Sequence, residues 1–250
     1  MTVILNEVKQ AMNIIEQGQL GSKPASTLFL LGKYYRQKEH LDMSHTIDKL
    51  HAFMQQNDKK YNPALWEDMI EDISKKAAKY PLREINFIGV TQSELDEIEK
   101  LQNIKYQTLL FTMLCYAKLY NTISENNNGW VNTSIPELYR TARITVKYRN
   151  DKFLILYEME KTGLISFSNK NDSLNLRVPF VDMHGESILK IHDFRELGYE
   201  YLKHTGNGIF IRCSLCDRLV RRTGQNTHYC SDCKQQRRLE TKRSWWKNHD

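Results

Sequence analysis

The sequence predicts a mainly α chain with small β elements, and three observations carry that expectation. Apolar residues recur at helical spacing through the first hundred positions and again from Ile104 to Ile123. Short alternating runs bounded by polar turns follow, around Trp130, Ile165 and Leu176. Two Cys-x-x-Cys pairs then lie near the C-terminal end. The 250 residues suffice for one or two buried cores and an appended small module. A hydrophobic content of 40% with 26% charged residues is ordinary for a globular chain. No apolar run approaches the roughly 18 to 20 residues a membrane span needs. The opening Met1–Lys9 stretch is too charged and too short in its apolar part for a secretory signal, so a cytoplasmic location is expected.

The first segment, residues 1–102, reads as a helical N-terminal domain. Ile4 to Gln17, Ser26 to Gln37, Thr46 to Asn57 and Pro63 to Tyr80 each carry an apolar stripe. In the last of these Trp66, Met69, Ile70, Ile73 and Ala77 share a face, and Asn62-Pro63 supplies a cap and a proline at the first helical position. Thr91-Gln-Ser-Glu94 is a capping box for a further helix through Leu95, Ile98 and Leu101. Gly18, Gly21, Pro81 and Gly89 punctuate these elements, and His40, His45 and His51 are scattered among polar neighbours as surface residues. There is no repeat, phosphate-binding loop or catalytic constellation here.

Residues 103–182 show a different order. A long apolar helix, Ile104 to Ile123, holds Cys115 as a buried, inert thiol. The breaker Ser124-Glu-Asn-Asn-Asn-Gly follows, then a short strand at Trp130-Val-Asn. Ser134-Ile-Pro-Glu137 opens a helix as a second capping box, and Thr145 caps a third helix that Gly163 ends after Thr162. Two strands through Ile165–Phe167 and Leu174–Val178 flank the polar tip Asn169–Ser173. Helix, strand, helix, turn, helix, hairpin is the layout of a winged helix-turn-helix. In that layout the third helix is the recognition element, with Lys147, Tyr148, Arg149, Asn150 and Lys152 toward phosphates or base edges and Lys170 on the wing. Its second half, Phe153 to Met159, is expected to anchor in the core. Winged helices also bind proteins, which leaves that alternative open.

Residues 183–208 connect this module to the last one, with a strand at Ile188–Ile191 and a helix capped by Asp193 and running to about His204. Residues 209–250 carry Cys213-Ser-Leu-Cys216 and Cys230-Ser-Asp-Cys233, thirteen residues apart. A two-residue gap lets a tight turn aim both sulfurs at one ion, and four thiolates suit one tetrahedral zinc. A disulfide framework needs an oxidising compartment, and tandem redox pairs do not match a thioredoxin-like unit. Four protein ligands leave no open position, so the expected zinc is structural, and His228 beside the second pair is expected to face solvent. Leu219-Val-Arg221-Arg222-Thr-Gly reads as a strand running into a turn, the frame of a zinc ribbon.

From Arg212 onward ten Lys or Arg face four Asp or Glu, a surplus of +6 that equals the net charge of the whole chain. A neutral body with a basic tail is the asymmetry that a polyanionic partner favours. The tail continues as a helix from Lys234, with Arg237, Arg238, Lys242 and Arg243 at helical spacing for phosphates, and Trp245 and Trp246 for packing or base stacking.

Trp130-Val-Asn, Ala142-Arg-Ile144, Glu160-Lys-Thr-Gly163-Leu-Ile, Phe194-Arg-Glu-Leu-Gly-Tyr and the cysteine pairs together resemble uncharacterised proteins of phages, prophages and other mobile elements of Gram-positive bacteria. The middle segment is also similar in layout to plasmid and phage replication initiators and replisome organisers. The resemblance implies a part in a mobile element's replication or gene control and supplies no catalytic residues. Two expectations follow: a non-enzymatic DNA-binding protein, or an adaptor whose ribbon binds a host protein such as RNA polymerase or a replication factor.

Overall fold

The computed structural model describes residues 3–21, 23–168 and 175–247, leaving aside the side chains at 243, 244, 246 and 247. Two compact units emerge, Ile4–Asn86 and Phe87 onward. The strand and helix at 88–99, which the sequence grouped with the N-terminal helices, belong to the second.

The first unit is built from α1 (Glu7–Gln17), α2 (Pro24–Gln37), α3 (Met43–Asn57) and α4 (Pro63–Ala77). Side chains set the starts: Asn6 accepts from the Lys9 N–H at 2.9 Å, Asp42 from His45 at 2.9 Å and Asn62 from Ala64 at 3.1 Å. Asp42 and Pro24 thus begin α3 and α2 earlier than the apolar stripes alone indicate. Leu28, Leu31, Leu50, Phe53, Met54, Ile70 and Ile73 interlock as the centre of one core. The buried stripe of α4 is Ile70, Ile73, Ser74 and Ala77, while Met69, expected on that face, stands at its edge and is exposed. Gly32 gives α2 its close approach: a Cβ there would lie 3.2 Å from the Ala77 methyl. Glu7 is buried and meets both Lys33 and Arg83, the latter at 2.8 Å. Of the scattered histidines, His40 and His45 are exposed and His51 is half-buried against the Tyr61 hydroxyl.

The second unit centres on α6 (Ile104–Ile123), which is buried on every side from Thr108 to Leu119. Ahead of it lie β1 (Ile88–Thr91) and α5 (Gln92–Glu99); beyond it lie β2 (Trp130–Val131), α7 (Ile135–Thr141), α8 (Arg149–Lys161), β3 (Ser166–Phe167) and β4 (Leu176–Arg177). The chain continues through β5 (Ser187–Ile191), α9 (Leu197–His204), β6 (Phe210–Arg212), β7 (Leu219–Arg221) and α10 (Ser231–Lys247). Strands β2, β4 and β3 form an antiparallel sheet in that order, with Trp130 and Ser166 both opposite Arg177. Strand β1 pairs antiparallel with β5, Ile88 against Ile191. No element of the sequence pattern marked β1. Gly89, taken as punctuation, lies inside it because a Cβ there would collide with Ser187.

The α5 capping box forms as expected: the Glu94 N–H donates to the Thr91 hydroxyl and the Thr91 N–H to the Glu94 carboxylate. Glu94 also takes Lys118 of α6 at 2.7 and 2.8 Å, so a charge in the middle of the apolar helix is neutralised by the cap itself. Cys115 is fully buried, and burial pushes its thiol well above the usual range.

Two other expected caps do not form. Ser134 makes no side-chain cap bond to α7, and the Glu137 carboxylate accepts from Arg140 at 2.9 Å. Asp193 binds the N–H and side chain of Arg195 at 2.8 and 2.7 Å, three positions ahead of Glu196, the residue that precedes α9. The third helix also begins at Arg149 and not after Thr145. Arg143 takes a left-handed conformation (φ +57°), and the Ile144 N–H closes back on the Tyr139 carbonyl at 3.0 Å, which ends α7 and leaves 144–148 as an irregular link to α8. Gly163 (φ +77°) terminates α8 where the sequence placed it.

Candidate metal centre

Strands β6 and β7 pair antiparallel, Phe210 opposite Arg221 and Arg212 opposite Leu219. The hairpin between them contains the first cysteine pair, and Asp217 (φ +56°) supplies its tight turn. The Cys213 N–H donates to the Arg218 carbonyl at 2.9 Å and the Asp217 N–H to the Cys213 carbonyl at 2.9 Å. The second pair straddles the start of α10. Ser214 grips the His228 carbonyl through its N–H at 3.1 Å and its hydroxyl at 3.2 Å, bringing the two knuckles together.

The four sulfurs of Cys213, Cys216, Cys230 and Cys233 all lie within 4.8 Å of one another. Cys216 and Cys230 are 3.7 Å apart. Bonds of about 2.3 Å at tetrahedral angles place sulfurs about 3.8 Å apart, so the spacing suits one four-coordinate ion. The Cys230 N–H points at the Cys213 sulfur at 3.3 Å and the Cys233 N–H at the Cys230 sulfur at 3.5 Å, the donors a thiolate ligand calls for. Burial pushes the Cys213 thiol up, yet the N–H groups of Cys230, Leu215 and Cys216 outweigh it and bring it to about 6. Cys216 and Cys233 are raised, by burial and by the neighbouring sulfurs. A cation at the centre removes that mutual penalty. Cys213 and Cys230 are buried and the other two partly so. His228 is exposed and outside the cluster, as expected.

Ion pairs that the sequence did not signal seat the cluster on the rest of its unit. Arg195 donates to the Cys216 carbonyl at 3.0 Å, Arg212 to Glu200 of α9 at 3.0 Å, and the rings of Tyr199 and Phe210 meet at 5.2 Å. Glu196, only 2% exposed, takes both arms of the Arg143 guanidinium from the end of α7 and lies 3.8 Å from Arg218 of the hairpin. Arg218 reaches on to Asp232 in the first turn of α10 at 2.6 Å. A Cβ on Gly198 would fall on the Ala142 carbonyl, so α9 and the α7 end are in backbone contact. Glu196 and Arg143 are 53 residues apart in the chain, which is why no local pattern marks them.

The predicted nucleic-acid contacts fall into two groups. On α10, Arg237, Arg238 and Lys242 are exposed; the Arg237 guanidinium rests 4.6 Å over the Tyr229 ring. The Arg243 side chain lies outside the described residues, and Trp245 is 52% exposed. Arg221 and Arg222 are exposed on the hairpin. The second group surrounds the start of α8. Lys147 and Tyr148 precede the helix and do not sit on it; Arg149, Asn150 and Lys152 are in its first turn. Lys147 lies over Tyr148 at 5.0 Å, Arg149 over Phe153 at 5.7 Å and Lys152 over Tyr139 at 5.4 Å. The second half of α8 is less of an anchor than expected: Leu156 and Met159 are buried, but Leu154 is 59% and Tyr157 45% exposed. Lys170 and the hairpin tip lie outside the described residues.

Comparison with protein-family models, with curated proteins and with solved structures finds no match. No helix among the described residues is long and apolar enough to cross a membrane.

Proposed function

We propose that this chain is a non-enzymatic, cytoplasmic DNA-binding protein of a phage or mobile element, acting in replication or transcription control, with one structural zinc at its four cysteines. The observation that carries the reading is that α10 grows directly out of the cysteine cluster, so the cations Arg237, Arg238 and Lys242 are presented from a base that the metal makes rigid. Zinc held by Cys213, Cys216, Cys230 and Cys233 supplies cross-linking and no chemistry. The order α6, β2, α7, α8, β3, β4 with the sheet order β2-β4-β3 supports a winged helix-turn-helix, in which the start of α8 faces the duplex. Phosphate contacts give affinity in such an arrangement, and base edges give placement.

The test is a titration of random duplex DNA. Affinity is expected to drop steeply between low and physiological salt, because each phosphate contact releases a counterion. Replacing Arg237→Glu and Arg238→Glu together is expected to weaken binding by about tenfold or more and to flatten that slope. A salt-insensitive affinity, or variants that bind as well as the parent, overturns the proposal. Exposed Ile209 and Leu215 on the metal module favour the adaptor reading as a second possibility. Retention of RNA polymerase or a replication factor from nuclease-treated lysate, lost on Leu215→Asp, selects it over the first.

A further inference from the structure

Beside the start of α8 the surface opens into a groove of about 850 Å³, bounded by β2, the turn into α7, the first turns of α8 and the foot of the β3–β4 hairpin. We infer that this groove receives unpaired nucleotides, so that the protein holds single-stranded nucleic acid next to its duplex-binding surface. The inference rests on the nucleic-acid reading above and adds the form of the strand.

Shape is the first argument. A duplex is convex and cannot enter a concavity of this size, whereas the volume lies within the range that small-molecule sites span and accommodates a splayed base with its phosphate. Electrostatics is the second. Arg149 and Lys152 line the groove, and among the described residues neither forms an ion pair; each instead rests on an aromatic ring, Phe153 and Tyr139. A cation held on a ring keeps its charge available to a phosphate while its position is fixed. Base recognition is the third. Phe153 lines the groove with an apolar ring, and the amides of Asn132 and Asn175 share the lining with it, the Thr133 hydroxyl there being bonded to Tyr120 at 3.1 Å. The Asn132 amide nitrogen already donates to Asn127 at 2.8 Å, which fixes that side chain and leaves its oxygen as an acceptor toward a base edge. A ring, two unpaired cations and amides in one concavity are the elements that stacking-based capture of a single strand combines.

The experiment uses the full, metal-loaded chain and two labelled probes, a short oligothymidylate and a duplex of equal length, with inorganic phosphate as competitor. The oligothymidylate is expected to bind, and Phe153→Leu, which removes the ring and leaves a smaller apolar side chain, is expected to weaken it by about tenfold, while duplex affinity falls less because the cations of α10 still hold the duplex. A second variant, Asn132→Ala with Asn175→Ala, alters only polar groups at the rim and is expected to weaken the single strand by several-fold, which guards against a folding defect in the first. Duplex binding with no oligothymidylate binding leaves the DNA reading standing and overturns the groove. Equal losses for duplex and single strand in both variants also overturn it, because the groove is then part of the duplex surface. Full displacement by inorganic phosphate at matched ionic strength overturns it as well, since the lining then recognises phosphate alone. Failure of both probes to bind removes the reading and the inference together.

Discussion

In the Ile4–Asn86 unit eleven buried apolar side chains form one core, whereas from Phe210 to Cys233 only Cys213, Leu219 and Cys230 are buried. The four helices gain their shape by removing apolar surface from water, at roughly 25 cal/mol per Å². The cysteine module has too few such side chains to do so. Its shape comes from sulfurs gathered within 4.8 Å and from charged groups of its own unit: Arg195 on the Cys216 carbonyl, Arg212 on Glu200, Glu196 near Arg218. Modules of about forty residues commonly need a metal or disulfides for this reason. One chain therefore carries two kinds of stability, and they respond to different insults.

The largest expected effect separates them. Removing the metal with a chelator should abolish hydrogen-exchange protection across Phe210–Arg212 and Leu219–Arg221, at a cost on the order of 10 kcal/mol, while α1 to α4 keep theirs. Protection that survives complete metal removal would dissolve the contrast. Leu31→Ala, at a fully buried core position, should cost the helical unit about 4 kcal/mol in urea unfolding and leave metal content unchanged. Glu7→Gln sharpens the comparison with pH. Burial pushes the Glu7 carboxyl up, but Lys33 and Arg83 outweigh it and hold it below its ordinary value of 4.5. A depressed carboxylate contributes stability above its unfolded value, and that contribution is lost as pH falls through the lower, folded one. The substitution should cost about 3 kcal/mol at neutral pH by leaving the buried Lys33 charge with only the Pro81 carbonyl as partner, and should flatten the acid limb of the stability profile. An unchanged acid limb would show that Glu7 is not its source. The smallest effect belongs to Thr91→Ala, which removes one half of the α5 capping box and should cost about 1 kcal/mol by thermal unfolding, with metal affinity unaltered.

What could be read from sequence follows the range of the interactions. The Cys-x-x-Cys pairs, the Thr91–Glu94 box, the Gly163 terminus and the apolar run of α6 are each decided within a few residues, and all appear where expected. Strand β1 was missed because its partner β5 lies about a hundred residues on and nothing in Ile88-Gly-Val-Thr distinguishes it from a loop. The start of α8 was placed too early because the left-handed turn at Arg143 is held by Glu196, a residue from a distant segment. Ser134 and Asp193 carry the right side chains for capping, yet Ser134 makes no cap bond and the Asp193 carboxylate is taken by Arg195. The Leu154 and Tyr157 positions look like core in a sequence window, but of α8 only Leu156 and Met159 are buried.

The Glu196 carboxylate has a practical corollary for dissecting the molecule. It answers at once to a guanidinium at the end of α7 and to one within the cysteine hairpin. A scissor placed at position 208, where composition suggests a seam, would strip it of the second partner and bare the α9 surface on which Tyr199 and Glu200 seat the strands. Fragments for crystallography or binding work are better divided after Asn86, where the chain passes from one self-contained body to the next.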